Sequence, residues 1–209
     1  MCMFRRIAEA TLHSLIRFAI HAMYRFEKTG RDAVPEHGPA LLVCNHVSFV
    51  DALIIAAAFR RPVRFIMHHA IWRHPALNWI FRIGGVIPIA PRHEDPALTD
   101  AAFDRTAAAL RRGELVCIFP EGKITWDGEL NEFKSGVERI MAESNVPVIP
   151  MALRGLWGSF FSRRHGPAMS RWPRRFWSKI ELRCGRRLSP QIDAHALGRE
   201  VLRLRGAPC

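Results

Sequence analysis

The stretch ALLVCNHVSFVDALIIAAAF, residues 40–59, joins an apolar run of strand length to a segment with helical character. We interpret Ala40–Cys44 as a buried strand, because continuous apolar runs are typical of strands covered on both faces. Similar runs recur along the chain at Val63–Met67, Val86–Ile89, Leu115–Phe119, Val148–Leu153 and Ile180–Cys184. Helical patterns lie between them. This alternation predicts an α/β fold, with a mixed, largely parallel sheet flanked by helices.

The clearest helical pattern covers residues 96–112, where Asp95 can cap the helix, Pro96 suits its first position and Gly113 follows its end. We predict further helices at 48–60, 75–83, 135–144 and 191–205.

The N-terminal residues 4–27 form an amphipathic pattern that predicts another helix, which Gly30 ends. Its apolar positions recur at spacings of three to five, with charged residues and histidine between them. We therefore divide the chain into an N-terminal amphipathic helical segment, residues 1–30, and a main domain, residues 31–209.

Composition limits the possible classes of protein. The chain has 209 residues, of which 49% are hydrophobic and 24% charged, so a disordered, collagen-like or coiled-coil chain is excluded. A single domain is expected at this length. The formal net charge of +12 favours partners that are polyanions, such as an anionic membrane, a phosphorylated substrate or nucleic acid.

The cysteines and the apolar segments carry less information. Five cysteines are scattered without a CxxC pair, which predicts neither a zinc site nor a disulfide framework and suits reduced cytosolic thiols. The longest stretch without a charged residue, His37–Val50, has fourteen residues. Because a spanning helix needs about 18 or more apolar residues, we expect none. Charged residues and histidine also interrupt residues 1–24, so that segment does not resemble a signal peptide.

The turn after the first strand carries the first candidate chemistry in Asn45, His46 and Asp51. If a helix begins near Ser48, Asp51 lies in its first turn and can reach back to His46. A carboxylate bound to one imidazole nitrogen fixes the tautomer, so that the other nitrogen can act as a base toward a hydroxyl. A structural alternative is that Ser48 and Asp51 form a capping box and His46 is an ordinary loop histidine.

Two later fragments add candidate binding residues. Glu121 and Gly122 follow a predicted strand, where the carboxylate could meet a hydroxyl or a cation. Farther along, Ser135 suits the start of a helix, and Lys134 with the neighbouring backbone N–H groups could receive a phosphate. The structural alternatives are a strand-ending turn and an ordinary capped helix.

Taken together, these fragments resemble the motifs of the lysophosphatidate acyltransferase family of glycerolipid synthesis. The matching blocks, in chain order, are Asn45–Asp51, Gly85–Ile89, Phe119–Gly122 and Val146–Pro150. The resemblance covers residues 40–155 and implies an acyltransferase domain over residues 31–209. It is closest to bacterial acyltransferase domains that also occur fused to transporter-like membrane domains. The residues that suggest this branch are Glu121–Thr125, Phe133–Lys134 and Leu156–Phe161.

The family resemblance implies a role for each matching residue. His46 matches the general base and Asp51 the residue that orients it, while Glu121 and Gly122 match a motif assigned to acceptor binding. Cys44 invites a Cys–His interpretation, but it lies in an apolar run, where a free cysteine is commonly a small buried hydrophobe. Since a thioester is already activated, we expect direct attack by the acceptor hydroxyl and no enzyme nucleophile.

Four further residues follow from the same resemblance. Pro150 matches a motif associated with the acyl donor and apolar packing, and we place Gly85 with it on the donor side. The second motif usually ends in an arginine that holds the acceptor phosphate. Here Arg92 lies one place late and after a proline, so either Arg92 or another cation takes that role, and Arg92 and Lys134 are both candidate acceptor-binding residues.

Residues 163–187 form a basic flank with nine Arg or Lys and one Glu. Aromatic residues beside cations suit an anionic bilayer surface. The contact residues that we predict are Trp172, Arg174, Arg175 and Trp177, and the N-terminal helix could add a second contact. The alternatives are a solvated basic face with core tryptophans and a nucleic-acid surface that stacks bases. No nucleic-acid motif accompanies the charge, so we predict no nucleic-acid partner.

The resulting hypothesis is a bacterial O-acyltransferase of phospholipid biosynthesis, peripheral to the cytoplasmic face of the inner membrane. It would move an acyl group from acyl-CoA or acyl carrier protein to a lysophospholipid hydroxyl, with 1-acyl-sn-glycerol 3-phosphate or a related lysolipid as acceptor. No cofactor and no metal are expected. The alternatives are an acyltransferase with a non-glycerolipid acceptor, and a non-catalytic basic module that binds membranes or nucleic acid.

Overall fold

The computed structural model describes residues 2–164, 166 and 177–206. The strands in these residues are β1 (Tyr24–Thr29), β2 (Ala40–Cys44), β3 (Val63–His68), β4 (Ile87–Ile89), β5 (Leu115–Ile118), β6 (Val148–Arg154) and β7 (Ser178–Cys184). The α-helices are α1 (Cys2–Met23), α2 (Asp51–Ala58), α3 (His69–Trp72), α4 (Asn78–Ile83), α5 (Pro96–Arg111), α6 (Gly136–Ser144) and α7 (Ala194–Arg205).

The strands form one seven-stranded sheet in the order β1-β7-β6-β2-β5-β3-β4. Strands β2 to β6 all run in the same direction, whereas β7 pairs antiparallel with β6 and parallel with β1. The carboxyl ends of β2 to β6 therefore share one edge of the sheet, where α/β proteins commonly place ligands. The predicted mixed, largely parallel sheet flanked by helices is confirmed.

Helices cover both faces of the sheet, and alternate residues of β2 point into two separate cores. Leu42 and Cys44 belong to the core under α1 and α2, whereas Leu41 and Val43 belong to the core under α5, α6 and α7. All four side chains are fully buried. Burial on both faces explains why the strands have continuous apolar sequences.

Each apolar run that we predicted to be a strand is one, but several helices begin later than predicted. The helices expected from residues 48, 75 and 191 begin three residues later, because turn and capping residues precede them. Asp193, for example, caps α7 by accepting the Ala196 N–H at 2.6 Å. Asp95 caps α5 as predicted, with an acceptor distance of 2.9 Å to the Leu98 N–H. Ser135 precedes α6 but makes no side-chain capping bond.

The N-terminal helix is shorter than predicted, since it ends at Met23 and residues 24–29 form strand β1. Tyr24 pairs with Ser178 in a parallel ladder, so the strand closes one side of the sheet. Burial in β1 alternates along the strand, beginning with a buried Tyr24. Local periodicity does not show this strand, because its pairing partner β7 is distant in the sequence.

Helix α1 packs on the domain through the buried Ile20 and through the polar Glu9 and His13, whereas part of its apolar surface faces outward. Glu9 forms an ion pair with Arg64, and Nε2 of His13 lies 3.0 Å from the carbonyl of Ala56. Four large apolar side chains on the other side are exposed, namely Phe4, Ile7, Leu15 and Phe18. In the described part of the chain, no helix is both long and apolar enough to cross a membrane.

Candidate active site

His46 and Asp51 lie together at the carboxyl edge of the sheet. Strand β2 ends at Cys44, a short turn follows, and α2 begins at Asp51. This connection lets Asp51 reach back, and its Oδ2 lies 2.8 Å from Nδ1 of His46. The sequence spacing predicted this contact, and the geometry agrees with the prediction.

The carboxylate of Asp51 is fully buried and accepts several hydrogen bonds. Its Oδ2 accepts the N–H groups of Val47 at 2.7 Å and Ser48 at 2.9 Å, and its Oδ1 accepts the Ser48 hydroxyl at 2.6 Å. A carboxylate can only accept, so the Nδ1–H of His46 donates to Oδ2, and in the neutral form of the ring Nε2 then carries the lone pair. The bond from the Ser48 N–H to Asp51, one half of a capping box, is thus present together with the His–Asp contact, but Ser48 does not cap α2, which follows Val50.

The loop after β5 holds the backbone of His46 from both sides. Glu121 Oε1 accepts the His46 N–H at 2.7 Å, and the Thr125 N–H donates to the His46 carbonyl at 3.0 Å. The other oxygen of Glu121 accepts both the backbone N–H and the side-chain amide of Asn131, each at 2.8 Å. Burial raises the pKa of Glu121, although the bonds from Asn131 and His46 oppose this rise.

These contacts differ from the role expected for Glu121. Its side chain is almost completely buried, and both carboxylate oxygens are occupied by protein donors. Glu121 therefore holds the turn that carries His46. Neither of its carboxylate oxygens is directed toward a substrate. Sequence reasoning missed Thr125 and Asn131, because their contacts depend on how the loop closes.

The surroundings of His46 are largely apolar. The ring of Phe119 stacks on the imidazole with centroids 4.3 Å apart. Cys44 is buried, and burial raises the pKa of its thiol well above the usual value, so it stays protonated. Asn45 binds the backbone of Leu153 with both ends of its side-chain amide. Cys44 and Asn45 therefore support the site rather than face a ligand.

Gly122 and Lys134 lie next to each other beside this turn. Gly122 has a φ of +66°, and a Cβ at this position would lie 2.7 Å from Nζ of Lys134. The Lys134 N–H also donates to the carbonyl of Pro120 at 3.0 Å. Because Lys134 is exposed and β5 is adjacent to β2, its ammonium group is a candidate ligand for an anion close to His46.

Arg92, the other cation expected to bind the acceptor, lies farther away. It follows β4, which is three strands from β2, a separation of about 14 Å across the sheet. Arg92 is exposed and forms an ion pair at 3.0 Å with Asp100, which also pairs with Arg139. The structure therefore does not bring Arg92 together with His46.

Neither predicted donor residue lies beside His46. Gly85 precedes β4, so it lies at the amino edge of the sheet, opposite the edge of His46. There it lines a cavity of about 840 Å³ together with Arg64 and Arg105. Pro150 is buried inside β6, and its carbonyl accepts the Gly185 N–H at 2.8 Å. Because it is buried within the sheet, Pro150 has a packing role. Its contact with the acyl donor stays a prediction.

Most of the predicted membrane residues lie outside the described residues, namely Trp172, Arg174 and Arg175. Trp177 is described, half exposed, and its N–H donates to the carbonyl of Met23 at 3.2 Å.

A second exposed apolar group adjoins the turn that carries His46, and the sequence patterns did not indicate it. Phe49, Leu53 and Trp126 are exposed, and the guanidinium of Arg163 lies 4.2 Å from the ring centroid of Trp126. Phe49 follows the turn that carries His46 and donates its N–H to Phe161. These side chains form an apolar rim with one cation at the edge of the site.

Comparison with known proteins identifies the family. The sequence pattern of the family described as Acyltransferase matches residues 25–154. The chain belongs to the Acyltransferase family. The resemblance drawn from its motifs is confirmed, while its place in the transporter-fused branch stays a prediction.

Curated relatives of this acyltransferase-family chain carry more specific names. A chloroplastic 1-acyl-sn-glycerol-3-phosphate acyltransferase from Brassica napus is 30% identical over 138 residues, which are 66% of this chain and 39% of that protein. The 1-acyl-sn-glycerol-3-phosphate acyltransferase of Borreliella burgdorferi is 27% identical over 60% of this chain and 49% of its own length. The chain thus matches about two fifths to one half of the length of these relatives.

A solved structure supports the fold. The crystal structure of the 1-acyl-sn-glycerophosphate acyltransferase PlsC from Thermotoga maritima aligns with a TM-score of 0.72. The alignment covers 97% of this chain and 83% of that chain at 20% identity. The acyltransferase-family chain therefore shares the fold of that protein.

Proposed function

We propose that the protein transfers a fatty acyl group from an acyl thioester to the free hydroxyl of 1-acyl-sn-glycerol 3-phosphate or a related lysophospholipid. The observation that carries the proposal is the 2.8 Å contact between Nδ1 of His46 and Oδ2 of Asp51. The His46 side chain is 22% exposed, and no described residue hydrogen bonds to its Nε2. This nitrogen is therefore available to a substrate hydroxyl. The names of the relatives support this acceptor class.

The reaction needs one proton carrier. Nε2 of His46 takes the proton of the acceptor hydroxyl while the oxygen attacks the thioester carbon, which forms the new C–O bond and a tetrahedral oxyanion. When this intermediate collapses, the C–S bond breaks and the imidazolium protonates the leaving thiolate. Asp51 stabilises the imidazolium between these steps. General acid–base catalysis of this kind typically contributes about 10²–10⁴-fold.

No enzyme nucleophile is needed, because the thioester is already activated. Cys44 is the nearest thiol in the sequence, but it is buried and protonated. Acyl-CoA and acyl carrier protein both present the same thioester, so either can serve as donor. No cofactor takes part in these steps.

We assign the acceptor phosphate to Lys134, because its ammonium group lies over Gly122 beside the His46 turn. Arg92 is three strands away from β2 and already paired with Asp100. A phosphate held by Lys134 would orient the lysolipid so that its hydroxyl faces Nε2 of His46. Holding the two reactants in one geometry supplies much of the remaining rate enhancement.

The substrates are lipids, so we also propose a peripheral position on the cytoplasmic face of an inner membrane. Two exposed apolar surfaces support it: Phe4 and Phe18 on α1, and Phe49 and Trp126 beside the site. The net charge of +12 would attract anionic headgroups.

Mass spectrometry with defined substrates tests the proposal. Purified protein is incubated with 1-acyl-sn-glycerol 3-phosphate and acyl-CoA, or acyl carrier protein in a parallel arm, and gain of one acyl chain is scored. We expect His46→Ala to abolish transfer and to leave vesicle binding intact. Cys44→Ala is the matched control and should retain turnover. Transfer at the wild-type rate by folded His46→Ala would disprove the assignment of the base.

A panel of lysolipids and a polar alcohol in the same assay defines the acceptor. Acylation of a different lysolipid alone would retain the mechanism and change the substrate. Vesicle or RNA binding without acylation of any acceptor would favour the non-catalytic alternative.

A further inference from the structure

Three side chains at the end of β3 take no part in the proposed reaction: His68, His69 and Glu94. His68 is the last residue of β3, His69 begins α3, and Glu94 lies in the loop before α5. Oε2 of Glu94 lies 3.3 Å from Nε2 of His69 and 3.8 Å from Nε2 of His68. The candidate ligand atoms of the three residues all lie within 4.8 Å of one another.

We propose that His68, His69 and Glu94 bind a divalent transition-metal ion of the Zn²⁺ class. With Zn–N and Zn–O bonds of about 2.0–2.2 Å, the donor atoms of a tetrahedral site lie about 3.3–3.6 Å apart. The His69–Glu94 distance already has this value, and the other ligand atoms reach it by small side-chain rotations. His68 and Glu94 are both partly exposed, with side-chain exposures of 41% and 45%, so water can complete the coordination.

The ligand set decides the class of ion. Two imidazoles and one carboxylate suit Zn²⁺ and its transition-metal neighbours, whereas Mg²⁺ prefers an all-oxygen shell with several waters. The cysteine pattern does not indicate this site. Its ligands come from the junction of β3 with α3 and from the loop between β4 and α5, which the pairing of β3 with β4 brings together.

The two imidazoles differ in their hydrogen bonds. Nδ1 of His69 is buried, so Nε2 is the nitrogen that faces Glu94. Nδ1 of His68 accepts the Ala70 N–H at 3.3 Å. Binding a metal through Nε2 moves the ring proton of His68 to Nδ1 and breaks this long contact. We therefore expect His69 and Glu94 to contribute more affinity than His68.

A bound ion would join the end of β3 to the loop that precedes α5. That loop carries Asp95, which caps α5, and Arg92, which pairs with Asp100. The ion would thus restrain one end of α5. This consequence is structural and does not depend on the acyltransferase reaction.

Isothermal titration with untagged, chelator-treated protein tests the site. We expect ZnCl₂ to bind at one ion per chain and MgCl₂ to show no binding under the same conditions. His69→Gln and Glu94→Gln should each weaken Zn²⁺ binding by at least about tenfold, the loss that removal of an outer-shell partner can already cause. His37→Gln, an exposed histidine before β2, is the matched control and should bind as wild type.

Thermal unfolding and Co²⁺ spectra give independent measurements. Zn²⁺ should raise the Tm of the wild type and of His37→Gln but not of His69→Gln, because only a ligand of the folded state stabilises it. Co²⁺ should show the visible d–d absorption of a low-symmetry site in the wild type and in His37→Gln, but not in His69→Gln. The proposal is wrong if the wild type binds no Zn²⁺, or if a folded His69→Gln/Glu94→Gln double variant binds it with unchanged affinity. Neither result would affect the acyl-transfer assay.

Discussion

Oε1 of Glu121 accepts the backbone N–H of His46 at 2.7 Å, and this bond joins two motifs that lie 75 residues apart in the sequence. Strands β2 and β5 are neighbours in the sheet, so the loops after them meet at its carboxyl edge. The second oxygen of Glu121 binds Asn131 and closes the loop that also reaches the His46 carbonyl through Thr125. Glu121 therefore acts as a positioning residue for the proposed base.

Glu121→Gln tests this positioning role. The amide keeps one acceptor oxygen but places an NH₂ group where either His46 or Asn131 now donates, so the turn should shift. We expect kcat to fall by about 10-fold to 100-fold and the free energy of unfolding to fall by about 1–3 kcal/mol. The KM for the lysophospholipid should stay near the wild-type value.

Steady-state kinetics separate the two interpretations of Glu121. A positioning residue changes kcat, whereas a residue that touches the acceptor changes KM. The exposed Glu132→Gln is a control for the loss of one carboxylate from the same loop. A large rise in KM with an unchanged kcat in Glu121→Gln would restore the acceptor-binding role.

Gly122→Ala tests whether Lys134 holds the acceptor phosphate. A Cβ at Gly122 would lie 2.7 Å from Nζ of Lys134, so the ammonium group must move. We expect a rise of about tenfold in the KM for 1-acyl-sn-glycerol 3-phosphate, which corresponds to about 1.4 kcal/mol. Kinetics with the phosphorylated acceptor measure the change.

Gly38→Ala is the matched control for this substitution. Gly38 has a φ of +82°, and a Cβ there would meet nothing within 4 Å. Both variants should lose about 1–2 kcal/mol of stability from the left-handed backbone, but only Gly122→Ala should change KM. Equal KM values in the two variants would rule out a phosphate contact by Lys134.

The ion pairs of Arg64 predict a pH-dependent contribution to stability. Its Nε donates to Glu114 at 2.8 Å, and its Nη1 pairs with Glu9 of α1. Burial raises the pKa of Glu114, but hydrogen bonds from Arg112 and Arg64 outweigh it and hold the pKa below its usual value of 4.5. A carboxyl with a lowered pKa in the folded state stabilises the fold above its unfolded pKa. This contribution is lost as the pH falls through the folded pKa.

Arg64→Met should therefore destabilise the protein more at neutral pH than at a pH below the lowered pKa of Glu114, where that carboxyl is protonated in both states. Urea unfolding at a series of pH values measures the difference in the free energy of unfolding. Arg82→Met is the matched control for the loss of a guanidinium. The Arg82 guanidinium lies over an aromatic ring, 5.4 Å from the ring centroid of Trp72, and an aromatic ring does not titrate. If Arg64→Met lowers the free energy of unfolding by the same amount at every pH, the prediction is contradicted.

Phe18→Ser on α1 tests the proposed membrane surface. Phe18 is 76% exposed, so its substitution should leave the fold intact. Inserting a phenylalanine side chain into an apolar phase is worth about 1.5–3 kcal/mol, so binding to anionic vesicles should weaken by tenfold or more. A flotation assay measures this binding, and turnover of detergent-dispersed substrate should be retained.

Ser14→Ala, on the same exposed side of α1, is the control and should bind vesicles as wild type. An RNA mobility-shift assay provides the second arm. Binding to RNA without binding to anionic vesicles would refute the proposed membrane surface. The basic charge would then indicate a nucleic-acid partner.

Local patterns in the sequence determined where strands β2 to β7 lie along the chain, the N-terminal cap of α5, and the contact between His46 and Asp51. These features depend on short-range physics: apolar runs must be buried, a carboxylate accepts the first N–H groups of a helix, and five residues of chain limit how far Asp51 can lie from His46.

Tertiary structure alone decided the remaining features, because they depend on which strands become neighbours. Pairing of β1 with β7 converted the end of a predicted helix into a strand. The sheet order brought Glu121 under His46 and left Arg92 three strands away. The same pairing of distant strands placed Glu94 beside His69. Contacts between residues far apart in the sequence follow from the topology of the sheet, and no local periodicity encodes that topology.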